Sequence, residues 1–195
     1  MSLRLYERRL EEEWKLLASL AALNPDLVQL DGRRAEPTGA VFAVTLAGSP
    51  SLVEVCTSLE TVANHQVRFR FPAFYPAVHL EAFLNRPVFH PNVHPVNGFV
   101  CLWKDFSCDR TILEAIEQLR RVITYQLVNE SSNHVMQPRA LDWLRSGGAS
   151  PPLPFPAGGL RKPQQFERER TYRQRPAWAR RRRLSFTSET NGQHF

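Results

Sequence analysis

Hydrophobic and polar positions near the start of the chain recur with the period of an α-helix. Large apolar side chains appear at three- and four-residue spacing: Leu3, Tyr6, Leu10, Trp14, Leu17 and Leu20. This spacing places them on one face of a helix. Asn24 precedes Pro25, and a proline disfavours helical geometry in the residue before it. We therefore predict an amphipathic helix that ends near Asn24.

The pattern then changes to short segments rich in β-branched and aromatic residues, separated by Gly, Pro and Asn. Four such segments cover residues 40–46, 52–58, 65–71 and 78–83. The stretches between them are short, whereas parallel strands need crossovers of a dozen or more residues. The sequence therefore predicts a four-stranded antiparallel meander.

Two more helical patterns follow an irregular stretch that contains Cys101. Asp109 is placed to cap the first, over residues 110–125, because a carboxylate accepts hydrogen bonds from the amides of a first helical turn. Its apolar residues share one face: Ile112, Ala115, Ile116, Leu119, Val122 and Ile123. A shorter helix is predicted over residues 138–145. The predicted class is α+β, with a helix before the sheet and two after it.

Charge divides the chain of 195 residues into a core and a tail. Residues 145–195 carry 11 basic and three acidic side chains, whereas residues 1–144 carry 14 basic and 16 acidic ones. Gly and Pro are frequent in residues 146–163, a composition typical of a linker. We predict a core domain over residues 1–145, a linker over residues 146–163 and an arginine-rich tail over residues 164–195.

The location of the basic residues decides which kind of partner the sequence predicts. A net charge of +6 suggests nucleic acid, but the excess belongs to the tail. An arginine run binds carboxylates as well as phosphates, so an acidic protein partner is preferred over nucleic acid. There is no apolar run that approaches the length of a membrane helix, and charges begin at Arg4. The sequence thus predicts a cytoplasmic protein without a membrane segment.

The three cysteines, Cys56, Cys101 and Cys108, include no C-x-x-C pair. This argues against a disulfide framework or a zinc ribbon. A metal site built from His90, His94, Cys101 and Cys108 has suitable ligand types, but its spacing matches no known zinc class. We predict no metal and no bound cofactor. Cys56 alternates with valines in a strand and is expected to be structural, and Cys108 stays ambiguous.

Cys101 is the candidate nucleophile because of the motifs around it. Upstream lie the aromatic, proline-rich segment 71–76 and then His90-Pro91-Asn92, and Cys101 itself closes Asn97-Gly98-Phe99-Val100-Cys101. A thiol is both a good nucleophile and a good leaving group near neutral pH, so it can take up an acyl group and release it. The alternative is a buried cysteine that acts as a small hydrophobe. The motifs favour the acyl carrier.

In this order and register, these motifs resemble those of the ubiquitin-conjugating enzymes over about residues 3–144. The resemblance rests on Phe71-Pro-x-x-Tyr-Pro, His-Pro-Asn, Gly-x-x-Cys101-Leu and Thr111-Ile at a helix start. It implies the UBC-like fold. It also implies that an activating enzyme passes a ubiquitin-like modifier to Cys101 as a thioester, and that the modifier then moves to an amine of a target protein. ATP would be consumed upstream.

The resemblance also suggests roles for other residues. Asn92 would stabilise the oxyanion of the transfer step, or hold its loop through bonds to the backbone. His90 and Pro91 would shape the turn. An ungapped alignment from Thr111 places Glu130 where the family carries an acidic residue that accepts a proton from the amine; a solvated loop glutamate is the alternative. Cys101 is nine residues after Asn92, one more than in the family, and we expect the loop to bulge near Pro95.

Two expectations concern origin and activity. The chain has three lysines against 22 arginines, a bias typical of GC-rich coding. The bias, with a shortened loop after Cys101, suggests a bacterial protein encoded beside an activating enzyme and a modifier, with a role in antiphage defence. The competing hypothesis is a catalytically inactive UBC-like module that binds a ubiquitin-like protein. Inactive variants lack the cysteine, so Cys101 favours the enzyme.

Overall fold

The structure is a computed structural model that describes residues 3–105, 110–148 and 159–163. The chain divides into two units, residues 1–161 and 162–195. Within the second, which contains the predicted basic tail, only residues 162–163 are described. The elements of the first unit, in chain order, are α1 (Leu3–Leu23), β1 (Val28–Glu36), β2 (Gly39–Leu46), β3 (Ser51–Val55), β4 (Ser58–Val62), β5 (His65–Pro72), β6 (Glu81–Leu84), β7 (Phe99–Val100), α2 (Ile112–Ile123) and α3 (Pro138–Arg145).

The main sheet is antiparallel throughout, in the order β1-β2-β5-β6-β7. The side chains of β5 alternate in burial along the strand, as expected where one face of a sheet meets a core. Strands β3 and β4 form a separate two-stranded hairpin inserted between β2 and β5. The predicted antiparallel meander and α+β class are therefore confirmed, with two changes in its strands.

The first change is that the sheet has five strands instead of four, and it includes β1 and β7, neither of which was predicted. β1 was not predicted because it is an edge strand: its residues are mostly polar and partly exposed, so the chain lacks the alternation that marks a half-buried strand. The second change concerns residues 52–58, predicted as one strand of the sheet. They cover most of β3 and the turn into β4, where Cys56, expected within a strand, is exposed and adopts a φ of 55°. The chain therefore reverses direction where the sequence predicted one straight strand.

Helix α2 supplies one wall of the core. All six residues predicted on its apolar face are buried, as are the aromatic side chains Phe42, Phe69 and Phe71 of the sheet. The helix begins at Ile112, two residues later than expected. Thr111 is its N-cap, since the Thr111 hydroxyl accepts from the Glu114 amide and the Glu114 carboxylate accepts from the Thr111 amide. The proposed cap, Asp109, lies outside the described residues.

A buried carboxylate joins α1 to the start of α2. Glu13, which is fully buried, accepts from the Ile112 amide at 2.8 Å and from the Tyr75 hydroxyl at 2.7 Å. Its carboxylate also pairs with Arg9 at 2.9 Å. Burial raises the pKa of Glu13, while Arg9 and the Ile112 amide act in the opposite direction. This single side chain thus connects the first helix, the Tyr75-Pro76 segment and α2.

The predicted segment 78–83 corresponds to β6 (Glu81–Leu84), which begins three residues later than expected. Helix α1 ends at Leu23, and the next residue, Asn24, binds the backbone of Arg161 through both its amide nitrogen and its oxygen. Helix α3 spans the predicted residues. In the part of the chain that the structure describes, none of the helices has the length and apolar character needed to cross a membrane. The linker and tail boundaries stay predictions.

Candidate active site

Cys101 follows directly on β7, the last strand of the sheet. β7 pairs with β6, and Val100 also forms a bridge with Val93. The backbone amide of Cys101 donates to the carbonyl of Asn92 at 2.9 Å. The thiol is partly exposed. Cys101 is thus fixed by its own backbone to the His-Pro-Asn turn, which the sequence placed in the same site.

The segment between Asn92 and Cys101, where the sequence predicted an added residue, contains an exposed turn. The His94 amide donates to the Phe99 carbonyl at 2.8 Å, and the Gly98 amide donates to the His94 carbonyl at 3.1 Å. Gly98 has a φ of 70°, and a Cβ there would lie 2.0 Å from the Leu84 carbonyl oxygen. Glycine is therefore required at this position. The turn closes upon itself, and it leaves intact the backbone bond that joins Asn92 to Cys101.

His90 anchors the turn. Its Nδ1 accepts from the Asn92 amide at 3.0 Å, and its ring packs edge-on against Tyr125 with 4.5 Å between ring centres. The side chain is fully buried, and burial lowers its pKa to about 3. The imidazole is therefore neutral at any pH where the protein would act, which fits the structural role expected of it.

The side chain of Asn92 is buried, with 1% exposed. Its Nδ2 donates to the Asn129 carbonyl at 2.6 Å and to the His134 carbonyl at 3.0 Å. Its Oδ1 accepts from the Asn129 amide at 2.8 Å. Asn92 therefore holds the loop between α2 and α3, which is the scaffold role left open by the sequence. Whether it also serves an oxyanion stays a prediction.

Two further contacts tie the same loop to the turn. The Pro91 carbonyl accepts from the Met136 amide at 2.7 Å. The Gln137 side chain donates to the carbonyls of Val88 and Val93, each at 2.8 Å. These bonds join the residues just before α3 to the His-Pro-Asn motif and to the backbone on both sides of it. The loop is consequently set in a defined position above Cys101.

This position brings His134 to the thiol. Its Nδ1 lies 2.9 Å from the Cys101 sulfur. His134 was not predicted as a site residue, since it is a lone histidine in a polar segment, 33 residues from the cysteine and in no motif. The contact depends on Asn92, which binds both the backbone of Cys101 and the carbonyl of His134.

The thiol opens into a cleft of about 410 Å³. Its walls come from the segment after Cys101, from α2 and from the loop after α2: Asn92, Cys101, Leu102, Trp103, Lys104, Gln118, Val122, Leu127, Val128, Asn129 and Glu130. Burial raises the pKa of the Cys101 thiol, and the Trp103 backbone partly opposes this. Gln118 of α2 donates to the Leu102 carbonyl at 3.0 Å, which holds the segment after the cysteine against the helix.

Glu130 lies on the wall of the same cleft, and its role as a proton acceptor stays a prediction. Its carboxylate pairs with Arg145 of α3 at 2.9 Å, and both side chains are more than half exposed, at 53% and 58%. The structure thus brings Cys101, Asn92 and Glu130 to one site. The pairing with Arg145 was not foreseen.

The described residues also bear on the metal alternative. Within residues 3–105, 110–148 and 159–163, no three side chains of His, Cys, Asp or Glu converge as metal ligands would. His94 Nδ1 accepts from the Val96 amide at 3.2 Å. Cys108, the fourth residue of that alternative, lies outside the described residues.

With the geometry given, the chain can be compared with known proteins. No family model and no curated protein matches the sequence. Solved structures do match. One is a putative ubiquitin conjugating enzyme from Trypanosoma cruzi, 16% identical, with a TM-score of 0.51 over 74% of this chain and 90% of that one. Another is a Plasmodium vivax ubiquitin conjugating enzyme E2, 19% identical, with a TM-score of 0.39 over 57% of this chain and 98% of that one. The first likeness establishes the fold: the chain has the UBC-like fold of ubiquitin-conjugating enzymes.

Proposed function

We propose that the protein is a conjugating enzyme that accepts a ubiquitin-like modifier from an activating enzyme as a thioester on Cys101. It then transfers the modifier to an amine of a target protein. The observation that carries this proposal is the partly exposed Cys101 thiol at the head of a cleft, in a UBC-like fold, with its backbone bonded to a His-Pro-Asn turn.

The reaction consists of two acyl transfers. In loading, the Cys101 sulfur attacks the thioester carbonyl on the activating enzyme; a carbon–sulfur bond to Cys101 forms, and the bond to the activating enzyme's thiol breaks. In discharge, the amine nitrogen attacks the same carbonyl, and the Cys101 thiol departs. Each step replaces one acyl bond with another, so no redox partner or bound cofactor takes part.

Asn92 and Glu130 have distinct places in this scheme. Both Nδ2 hydrogens of Asn92 bind backbone carbonyls, so a donor role toward the oxyanion requires one of those bonds to open as the acyl group enters. Glu130 reaches the cleft wall while paired with Arg145. Its negative charge would attract a cationic amine into the cleft, and its carboxylate would accept the proton that the ammonium group loses before it attacks.

The remaining parts of the proposal concern context. The modifier, the activating enzyme and the target are the partners that this chemistry requires, and an acidic surface on one of them would suit the arginine-rich tail. The expected setting is the cytoplasm of a bacterium, beside genes for the activating enzyme and the modifier, in antiphage defence. This context rests on the residue usage of the sequence and the shortened loop after Cys101.

The test is a loading reaction with an activating enzyme, a candidate modifier and ATP, followed by gels run with and without reductant. Wild type should form an adduct that reductant removes. Cys101→Ala should form none, and Cys101→Ser should form an adduct that survives reductant, because an ester resists thiols. Cys56→Ser is the matched control, since Cys56 is an exposed thiol on the β3–β4 hairpin, and it should load normally.

The outcomes separate the two hypotheses. An adduct that depends only on Cys101 supports the conjugating enzyme. If the activating enzyme is demonstrably charged and the wild-type chain forms no adduct, the proposal fails for that pair. Binding of the uncharged modifier without any adduct would favour the inactive binding module instead. Cys108→Ser completes the set, because the sequence leaves that cysteine ambiguous.

A further inference from the structure

The contact between Cys101 and His134 is built by the fold. Asn92 binds the Cys101 amide with its own carbonyl and the His134 carbonyl with its side chain. Pro91 holds Met136, two residues beyond His134, through a bond of 2.7 Å. The buried turn therefore fixes both partners of the contact. The 2.9 Å separation between Nδ1 and sulfur follows from this framework.

We propose that His134 is the general base of the site, acting on the Cys101 thiol during loading and on the incoming amine during discharge. The role deepens the proposed function and rests on it. An imidazole is the side chain best suited to take and return a proton near neutral pH. His134 is a catalytic residue in this scheme because its Nδ1 touches the reacting sulfur.

The proton has a defined path in each step. In loading, Nδ1 takes the thiol proton as the Cys101 sulfur bonds to the modifier's carbonyl carbon, and the imidazolium returns it to the departing thiolate of the activating enzyme. In discharge, Nδ1 takes a proton from the amine as the carbon–nitrogen bond forms. It then gives that proton to the Cys101 sulfur as the carbon–sulfur bond breaks. The base is regenerated each time.

The need for a base follows from the surroundings of the thiol. Burial disfavours the thiolate, so Cys101 is less reactive by itself than an exposed cysteine. Among the described residues, the charged groups on the cleft walls are Lys104 and Glu130, and Glu130 is paired with Arg145. Among the described groups, the Cys101 sulfur has a hydrogen-bond contact only with His134 and with the Trp103 carbonyl. Of these two, His134 is the one that can accept a proton.

The first test measures the thiol alone and needs no partner. Iodoacetamide alkylation of the full-length protein is followed by mass spectrometry of the Cys101 peptide, with the exposed Cys56 as the internal reference. His134→Gln keeps the backbone carbonyl that Asn92 binds and keeps an acceptor group, but it cannot take a proton. Cys101 in wild type should react roughly tenfold faster at about pH 7 than in His134→Gln, and the ratio should approach one at about pH 10.

Ser132→Ala is the matched control, because Ser132 is an exposed residue of the same loop whose hydroxyl contacts only its neighbour Asn133 among the described groups. It should react as wild type does. Equal Cys101 rates in wild type and His134→Gln at every pH would overturn the proposal. A second measurement uses wild type only: the NMR signals of the His134 ring should shift when Cys101 is alkylated, because the ring nitrogen lies against the sulfur. Unchanged ring signals would also overturn the proposal.

The last test separates this inference from the proposed function. Single-turnover loading by wild type should vary little between about pH 6.5 and about pH 8.5, whereas His134→Gln should load on the order of 10²-fold more slowly at the lower pH. If both proteins load alike, the conjugating activity stands and the base is refuted. If neither loads but the alkylation difference is found, the base stands as a property of the thiol and the proposed function fails.

Discussion

Asn92→Ala tests whether the buried amide is the scaffold of the site. The side chain makes three hydrogen bonds, to the Asn129 carbonyl, the Asn129 amide and the His134 carbonyl. A net contribution of about 1 kcal/mol for each bond predicts a loss of about 3 kcal/mol in the free energy of unfolding. The backbone groups of Asn129 and His134 would lose their partner while partly buried, which adds to this loss of stability.

The assay is equilibrium urea denaturation of the full-length chain, with Asn97→Ala as the matched control. Asn97 is exposed and its Oδ1 accepts one bond, from the Phe99 amide at 2.9 Å. The control should therefore lose at most about 1 kcal/mol. Alkylation of Cys101 in Asn92→Ala should also fall toward the His134→Gln rate, because the loop that carries His134 is released.

A different result would point to the other role of Asn92. If Asn92→Ala unfolds within about 0.5 kcal/mol of wild type, which is the range of an ordinary surface substitution, the scaffold reasoning is refuted. Should transfer of the modifier then fall by about 10²-fold or more with stability and thiol reactivity unchanged, Asn92 acts on the oxyanion. The two roles are distinguishable because loss of the scaffold lowers the stability and thiol reactivity of the unloaded protein, whereas loss of oxyanion stabilisation slows only the transfer.

Three more predictions concern other residues. Burial lowers the pKa of His90 from 6.5 to about 3 in the folded protein. As the pH falls below 6.5, His90 therefore takes up a proton in the unfolded chain but stays neutral in the folded protein, and the folded protein loses stability. Linkage then predicts that, between about pH 7.5 and about pH 5, wild type loses about 2 kcal/mol more than His90→Asn in urea titrations. Glu13→Ala should cost about 3–5 kcal/mol in the same assay, because it leaves the partly buried Arg9 without its buried partner. Lys104 lines the Cys101 cleft, so loaded protein without a target should modify itself there, and Lys104→Arg should remove the reductant-resistant adduct seen by peptide mass.

Each of these predictions has a nearby control. His94→Asn changes a histidine of the exposed turn and should leave the pH dependence of stability intact. Glu12→Ala removes a half-exposed carboxylate next to Glu13 and should cost at most about 1 kcal/mol. Lys15→Arg, on α1, should leave self-modification unchanged. An equal effect of a variant and its control would refute the corresponding prediction.

The sequence was most informative where local pattern decides structure. The apolar face of α2 and the bounds of α3 were predicted correctly, since helical periodicity is a property of neighbouring residues. The start of α2 was misplaced because Asp109 and Thr111 are both good caps, two residues apart. Glu114, three residues after Thr111, was the available signal, since that spacing defines a capping box.

The features that the sequence did not indicate depend on distant residues. β1 pairs on one side only and keeps polar side chains, so its strand character comes from β2 and not from its own pattern. His134 contacts a cysteine far away in the chain. The motif around Cys101 predicted a thiol and a turn, but the base beside the thiol is found only when the loop after α2 folds back onto that turn.

The placement of Asn92 also explains how the site tolerates changes of length before Cys101. The chain between the two residues is enclosed by Val93, which bridges Val100, and by the closed turn of His94 to Gly98. After that turn, the chain runs back beside the His-Pro-Asn turn, and the Cys101 amide donates to the Asn92 carbonyl. Any change of length confined to this turn is therefore isolated from the pair formed by Cys101 and His134. A change in the loop after α2 is not isolated, because that loop is held at the thiol by the side chain of Asn92 and the carbonyl of Pro91.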